Sequence, residues 1–439
     1  MRSVAIAGGG VAGISAAAAL ASAGYRVTLL ESRPYLGGRA TSYDVPGTEA
    51  GAIDNCQHIL LKCCVHLLDL YRRLGVEDQI EFHREFHYLE PGGRRSIFRA
   101  GWFPAPAHFT GSFAALRFLS AAEKWAAARA LLALRREYGR RTDLDRITMQ
   151  EWLEEKKQSR RAIGRFWAPV LTSAVNEELD RMAASHGFQV FHLAFLASKD
   201  AYQMGVPRIP LGELHSAARL AARTGAQVLL RRKVTGVRAV QGRLTAWETA
   251  DGAVEADAFI AALPFEPLRS LLPDLLEDWS VFEYSPITGI HLWFDQPVTE
   301  LPHAVLLDSP FQWFFAKSGG RYLQLVVSAS RFLETWPRRE VVARAVEDLR
   351  RYLPAVSRAK LVRFHVVKEM RATFSARPGL EAKRPRPETR FENLFLAGDW
   401  TQTGWPSTME GAARSGYRAA EAVCRLFGDN RRFLLPGAR

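Results

Sequence analysis

Between a short apolar run, Val4-Ala5-Ile6-Ala7, and an Ala-rich segment, Ile14 to Ala23, the chain reads Gly8-Gly9-Gly10-Val11-Ala12-Gly13. Glycines at this spacing, where a buried strand passes into a helix, admit few folds. They provide a tight turn, room for a ligand against bare backbone, and close contact between helix and strand. Gly24 ends the helix, and Arg26-Val27-Thr28-Leu29-Leu30-Glu31 forms the next strand. The free N–H groups and partial positive charge of the helix start suit a pyrophosphate. Glu31, at the end of the second strand, can accept both hydroxyls of a ribose, and its charge disfavours a 2′-phosphate. Gly8, Gly10, Val11, Ala12, Gly13, Glu31 and the following Ser32 are therefore candidate dinucleotide-binding residues.

Two further segments narrow the choice of dinucleotide. Pro34-Tyr35-Leu36-Gly37-Gly38-Arg39-Ala40-Thr41 resembles the Gly-Gly-Arg element of the amine oxidase and phytoene desaturase class of flavoproteins. That resemblance implies that Gly38 lets the backbone approach the pyrophosphate and that Arg39 neutralises it. Near the other end, Leu394-Phe395-Leu396-Ala397-Gly398-Asp399 reads as a buried strand running into a carboxylate, and Pro406 to Gly416 opens the last helix. This resembles the second flavin signature of the same class. By that likeness Asp399, after Gly398, bonds the ribityl chain, and the helix start at Ser407, Thr408 and Met409 faces the N1–C2=O edge of the isoalloxazine. A helix N-terminus there stabilises an anionic reduced flavin. FAD is the cofactor expected.

A chain of 439 residues has room for roughly three folding units. Its 48% apolar and 24% charged residues exclude disorder, collagen and coiled coil. The fold class expected is α/β, α+β overall. A Rossmann-like FAD-binding domain is assembled from residues 1–80, 205–270 and 388–439, and a substrate domain with a mixed or antiparallel sheet and helices from 81–204 and 271–387. Gln227 to Val240, Arg243 to Thr249 and Val254 to Ala262 read as strands of the first domain. In the flavoprotein class the backbone near Val234 contacts the adenine. Phe86 to Phe98 reads as a hairpin around Pro91-Gly92-Gly93. Gly289 to Phe294, Gln312 to Ala316, Tyr322 to Ser328 and Leu361 to Glu369 read as sheet, and Ser112 to Tyr138 and Met149 to Ala162 as helix.

Four cysteines, with Cys63 and Cys64 adjacent, supply neither a disulfide framework nor a C-x-x-C pair, which fits a reducing compartment. The net charge of +13 comes with no nucleic-acid module, so an anionic lipid surface is the better partner. Three glycines interrupt the apolar run from Val4 to Ala23, which argues against an export signal, and no uninterrupted apolar stretch of ~18 residues predicts a membrane span. Trp102-Phe103-Pro104-Ala105-Pro106 precedes a segment carrying Phe113, Leu116, Phe118, Leu119 and Trp125 beside Arg117, Lys124, Arg129, Arg135 and Arg136. An aromatic face rimmed by cations suits the headgroup layer, whereas the plainer reading is a domain helix with a solvated basic face. A cytoplasmic protein, peripheral to the inner face of the membrane, is expected.

Ile53-Asp54-Asn55-Cys56-Gln57-His58-Ile59-Leu60-Leu61 resembles the Asp-Asn-Gly-Gln-His segment of the squalene-associated FAD-dependent desaturases, the hydroxysqualene dehydroxylases. Phe166 to Leu171 with Asn176-Glu177, and Gly205 to Leu214, are similar to that family's middle region, and the likeness runs from Val4 to about Leu426. Cys56 stands where the family usually has Gly. The resemblance implies a C30 isoprenoid substrate, loss of an allylic hydroxyl as water and hydride from reduced FAD N5, in hopanoid and squalene synthesis, coupled functionally to a hydroxysqualene-forming synthase. Asp54 and His58, four apart, share a face if their segment is helical, and are the candidate acids; a packing or cofactor-touching role for His58 is the alternative. His83 and His87 have a helical zinc spacing but fall where strand is expected, so no metal is predicted. Carotenoid desaturation is the alternative activity. Amine oxidation, with Trp400 and Trp405 as aromatic candidates, and a non-catalytic lipid escort are the others.

Overall fold

The computed structural model describes residues 1–45 and 52–436. Its first sheet is parallel, in the order Gln227–Leu229, Arg26–Leu30, Ser3–Ala7, Ala258–Ala261, Leu394–Leu396. Val4, Ala5, Ile6 and Ala7 are all buried, as a central strand covered on both faces requires. Strands from the two ends of the chain thus lie two places apart in one sheet. The helices Val11–Ser22 and Met409–Leu426 cross at Gly416, where a Cβ would fall 2.2 Å from the Ala12 carbonyl oxygen. No side chain larger than hydrogen permits that approach.

The expected strand Gln227 to Val240 is two strands. Gln227–Leu229 belongs to the parallel sheet, and Val234–Val240 to an antiparallel meander with Arg243–Thr249 and Gly252–Glu255. The link is held by residues that follow the second strand. Arg231 N–H donates to the Arg33 carbonyl at 3.1 Å and Arg232 N–H to that of Glu31 at 2.8 Å.

The second sheet runs Leu361–Phe374, Tyr284–Phe294, Tyr322–Ser328, Trp313–Lys317, His303–Leu306, Phe86–Leu89, Arg95–Phe98. It is antiparallel except where Phe86–Leu89 joins His303–Leu306. Ile290, Leu292, Phe314, Leu323 and Leu325 share a core with Val341, Val342 and Ala345 of the helix Arg338–Arg350. The opposite face looks towards the parallel sheet, Trp313 and Phe315 sharing a core with Ala5, Ala7 and Leu30.

Two expected helices are broken. Ser112 to Tyr138 is Thr110–Ala114 followed by Ala121–Glu137, the latter opened by a Ser120/Glu123 capping box. Leu116, Phe118 and Leu119 lie between them and are buried, so the chain leaves helix to bring all three inward. Met149–Glu155 ends at Lys156, Lys157 is left-handed with φ 55°, and helix restarts at Arg160, passing into a π-helical turn at Ile163–Trp167. Among the described residues no helix is long and apolar enough to cross a membrane.

Candidate functional site

A single cavity of about 1380 Å³ runs from the glycine-rich loop to the second sheet. That exceeds the ordinary volume of a site for one small ligand. Of the candidate cofactor-binding residues and candidate acids, all but Gly13 and Asp54 line it.

The backbone builds its first end. Gly8 has φ +106°, and a Cβ there would stand 2.3 Å from the Ala262 carbonyl oxygen of the neighbouring strand. Gly13 packs on Gly8, its would-be Cβ 1.9 Å from the Gly8 carbonyl oxygen, which explains why it supports the loop without lining the cavity. Gly10 differs. A Cβ there would meet nothing nearer than Gly38 Cα at 4.0 Å, so this edge of the loop is open to the cavity. The helix that follows has neither a side-chain cap nor an acidic residue in its first turn, leaving its amides for an anion. Glu31 is set by its neighbours: Oε2 accepts from Gly9 N–H at 2.8 Å, and Oε1 from Arg33 N–H at 2.8 Å and Ser32 Oγ at 3.0 Å. Val234, where the meander begins, is buried on the same wall.

Gly37 N–H donates to the Gly9 carbonyl at 2.8 Å, so the Gly-Gly-Arg element lies directly on the glycine-rich loop. Sequence placed Arg39 on a pyrophosphate. Here its guanidinium pairs with Asp399 and donates to the Ala372 carbonyl at 3.0 Å. The nearest buried carboxylate claims its charge, and the pair ties the N-terminal segment to the last strand. Asp399 also accepts from Ser407. Gly398, with φ +147°, leads into it, and Thr408 caps the last helix by accepting from Gly411 N–H at 3.0 Å, so Met409 opens that helix on the cavity wall.

The other end is built from side chains. Phe86, Trp313 and Val326 of the second sheet face Val170, Ala174, Val190, Leu193 and Phe195. The last two lie in a π-helical turn, Phe191–Leu196. None of these residues was marked by the sequence as lining a site; a π turn leaves no signature in a single sequence, although such turns recur at functional sites.

The segment 53–61 crosses between the two ends. Asp54 ends the strand Ala52–Asp54 and His58 lies in a loop, so the helical face on which they were paired does not exist. Asp54 is buried off the cavity, its Oδ1 accepting from Ser42 Oγ at 2.6 Å and Leu211 N–H at 3.0 Å. It thereby pins the segment Gly205 to Leu214 to this loop. His58 does line the cavity. Its Nδ1–H donates to the Cys56 carbonyl at 3.0 Å, leaving Nε2 as the acceptor of the neutral ring. Burial pushes the imidazole below its ordinary pKa, against the opposing pull of Asp54 and of the Cys56 carbonyl. Cys56 has no positive φ, so its side chain is accommodated without strain, and burial raises its thiol to about 12. It is no nucleophile at neutral pH.

Trp400 is buried in the core, donating to the Leu263 carbonyl at 2.9 Å, while Trp405 lines the cavity; the two form no cage. His83 and His87 lie on strands as expected, and His303 joins them with ring centroids 5.0 and 5.4 Å away. Among the described residues no group of three or more His, Cys, Asp or Glu is arranged to hold a metal ion.

A parallel sheet with an open glycine turn, an acid ending the second strand and a carboxylate returning from the far end defines a nucleotide-dependent oxidoreductase with a flavin-type site. The chain belongs to the family of flavin-containing amine oxidoreductases, whose model matches residues 11–424, and its cofactor is FAD. It is similar to a probable zeta-carotene desaturase of Synechococcus elongatus, 27% identical over 96% of this chain and 98% of the relative. A hydroxysqualene dehydroxylase of Rhodopseudomonas palustris is 29% identical over the same two shares. The fold is that of the cyclohexylamine oxidase of Brevibacterium oxydans (TM-score 0.71, 16% identity, 97% of this chain and 99% of that one).

Proposed function

We propose that this protein removes the allylic hydroxyl of hydroxysqualene as water and delivers hydride to the same carbon skeleton, giving squalene. The observation that carries this reading is the loop Asn55–His58, on the cavity wall where the backbone-built end opens into the apolar one. That loop holds the family-specific residues, and Asp54 bonds it to the other specific segment at Leu211. We take residues 1–80, 205–270 and 388–439 as the flavin half and the remainder as the substrate half.

When bound and reduced by two electrons, FAD would supply hydride. Gly8, Gly10, Val11, Ala12 and Gly38 hold the pyrophosphate, Glu31 and Ser32 the ribose and Val234 the adenine. Gly398, Asp399, Ser407, Thr408 and Met409 would hold the ribityl chain and the ring edge, and Arg39 would fix the Asp399 carboxylate by pairing with it. His58 is the group on the wall able to give a proton to a leaving hydroxyl. A ring whose pKa is lowered by burial holds a proton at Nε2 weakly, and so passes it on readily. Asp54 acts indirectly, by fixing the loop. The apolar walls at Phe86, Phe195 and Trp313 keep out the water that would recapture an allylic cation.

The substrate dissolves in bilayers, and the surface offers a place to dock. Trp102 is 98% exposed and Phe103 60%, and on the helix Ala121–Glu137 Trp125 and Leu132 stand out beside Arg129, Arg135 and Arg136. We assign membrane contact to these residues rather than to Leu116, Phe118 and Leu119, which the core has taken. The protein then works at the cytoplasmic face, receiving substrate from a hydroxysqualene-forming synthase.

Anaerobic, photoreduced protein given hydroxysqualene should yield squalene and reoxidised flavin in equal amounts. Carotenoid desaturation is the second reading, favoured by near-equal identity to the desaturase relative. Phytoene desaturated, with hydroxysqualene untouched, would establish it instead. A colourless purified protein would point to a lipid escort.

A further inference from the structure

One rung of the second sheet is polar where the next is apolar. In register across consecutive strands stand His365, His291, Gln324, Phe315 and His303. The adjacent rung is Val367, Gly289, Val326 and Trp313, of which Val326 and Trp313 line the cavity. His291 and Gln324 are wholly buried. Nε2 of His291, both Nε2 and Oε1 of Gln324, and Nε1 of Trp293 have no hydrogen-bond partner among the described residues. The same holds for Oδ1 of Asn55 and Oε1 of Gln57, two buried residues of the cavity wall.

These two sets meet. The chain at Asn55 and Cys56 passes over Gly289, where a Cβ would lie 3.0 Å from the Asn55 carbonyl oxygen and 3.6 Å from His291 Nε2. Glycine therefore leaves free the space between the loop and the polar rung. The Tyr322 hydroxyl and His291 Nδ1 share a hydrogen bond of 2.6 Å. On the outer side the His365 ring is 6.0 Å from that of His291, and its Nε2 is 3.2 Å from the Tyr43 hydroxyl, both residues being half-buried. So many polar atoms do not stay unpaired in one place inside a protein, and internal water is the group that satisfies them.

We propose that the polar rung holds a file of internal waters from Tyr43 and His365, through His291, Tyr322 and Gln324, to Gln57 and His58, and that this file supplies the proton the leaving hydroxyl needs. The proton role rests on the dehydroxylation reading; the waters do not. In the reaction the C–O bonding pair leaves with oxygen, which takes one proton and departs as water. The carbon accepts a hydride, and the reduced flavin that supplies it is left oxidised by two electrons. Each turnover thus consumes one proton at the loop Asn55–His58, and the file replaces it. His291, Tyr322 and Gln324 are positioning residues that align the waters, and His58 is the last relay.

Crystals of the FAD-loaded protein should show ordered waters within hydrogen-bond distance of Gln324 and of His291 Nε2; dry contact at both would overturn the file. Gln324→Met and His291→Phe should slow single-turnover formation of squalene at least tenfold and enlarge its solvent deuterium isotope effect. FAD content and the shift that hydroxysqualene causes in the spectrum of the oxidised flavin should stay as in the wild type. His291→Gln, which keeps a polar atom, should recover part of the rate, and Gly289→Ala, which narrows the space, should lose part of it. Unchanged rates with the waters in place, or loss of FAD in every variant, would overturn the proton role. A wild type that leaves hydroxysqualene untouched defeats the functional reading instead, and the water positions still decide the file.

Discussion

The two ends of the cavity are made of different material. At the nucleotide end the contacts come from backbone: a glycine turn, a helix start and a carboxylate held by amide N–H groups. At the other end they come from side chains of a sheet and of helices distorted by π turns. Backbone geometry tolerates almost no substitution, because a Cβ at Gly13 or Gly416 would overlap a carbonyl oxygen. An apolar wall tolerates many, since volume matters more than identity. One end therefore declares its ligand class, and the other declares only that its ligand is oily.

Gly10→Val probes this contrast most severely. The new Cβ would meet nothing nearer than Gly38 Cα at 4.0 Å, yet the side chain would enter the space proposed for the pyrophosphate, so flavin affinity should fall ~1000-fold, about 4 kcal/mol, in a protein that still folds. Equal FAD content in that variant, measured by absorbance against protein, would break the assignment. Acid should act next, and on the opposite end. Burial lowers His186, His291 and His303 to about 3, all in the apolar half, and His215 to about 4. Because these rings are neutral when folded but take up protons below 6.5 when unfolded, stability is full above pH 6.5 and is lost as pH falls towards 3–4. At pH 5.5 each costs roughly 1 kcal/mol, so calorimetry should show a lower Tm, and near-UV dichroism should fade before flavin is released. Flavin leaving first would reverse the contrast.

Ala174→Trp, which fills the apolar end, should weaken hydroxysqualene binding at least tenfold, about 1.4 kcal/mol, with FAD content unchanged. Joint loss of both ligands would mean that the ends are not separable. The smallest effect belongs to the surface. Trp102→Ser with Phe103→Ser should reduce binding to anionic vesicles several-fold, with turnover in detergent unaltered, and binding should also weaken with salt.

Legibility followed the same division. Gly8 and Gly13 were readable because the backbone there admits no side chain. Tertiary packing overrode the rest. Leu116, Phe118 and Leu119 look like one face of a helix, but the core pulls them out of helix altogether. Asp54 and His58 have helical spacing, yet Asp54 ends a strand paired with Ser42–Asp44, so separation along the chain misleads. Arg39 has the charge a pyrophosphate wants, and the sequence held no sign of its pairing with Asp399, far away along the chain. The polar rung escaped notice because His291, Gln324 and His365 come from three strands that only sheet register aligns.

A crystal structure with FAD and hydroxysqualene both bound tests the central claim most directly. The account predicts the pyrophosphate against Gly10 and the start of the first helix, the flavin ring beside Met409, and the isoprenoid running between Phe195 and Trp313 with its hydroxyl towards His58. Isoprenoid density outside that chamber, or a flavin ring lying within the apolar end, would contradict it.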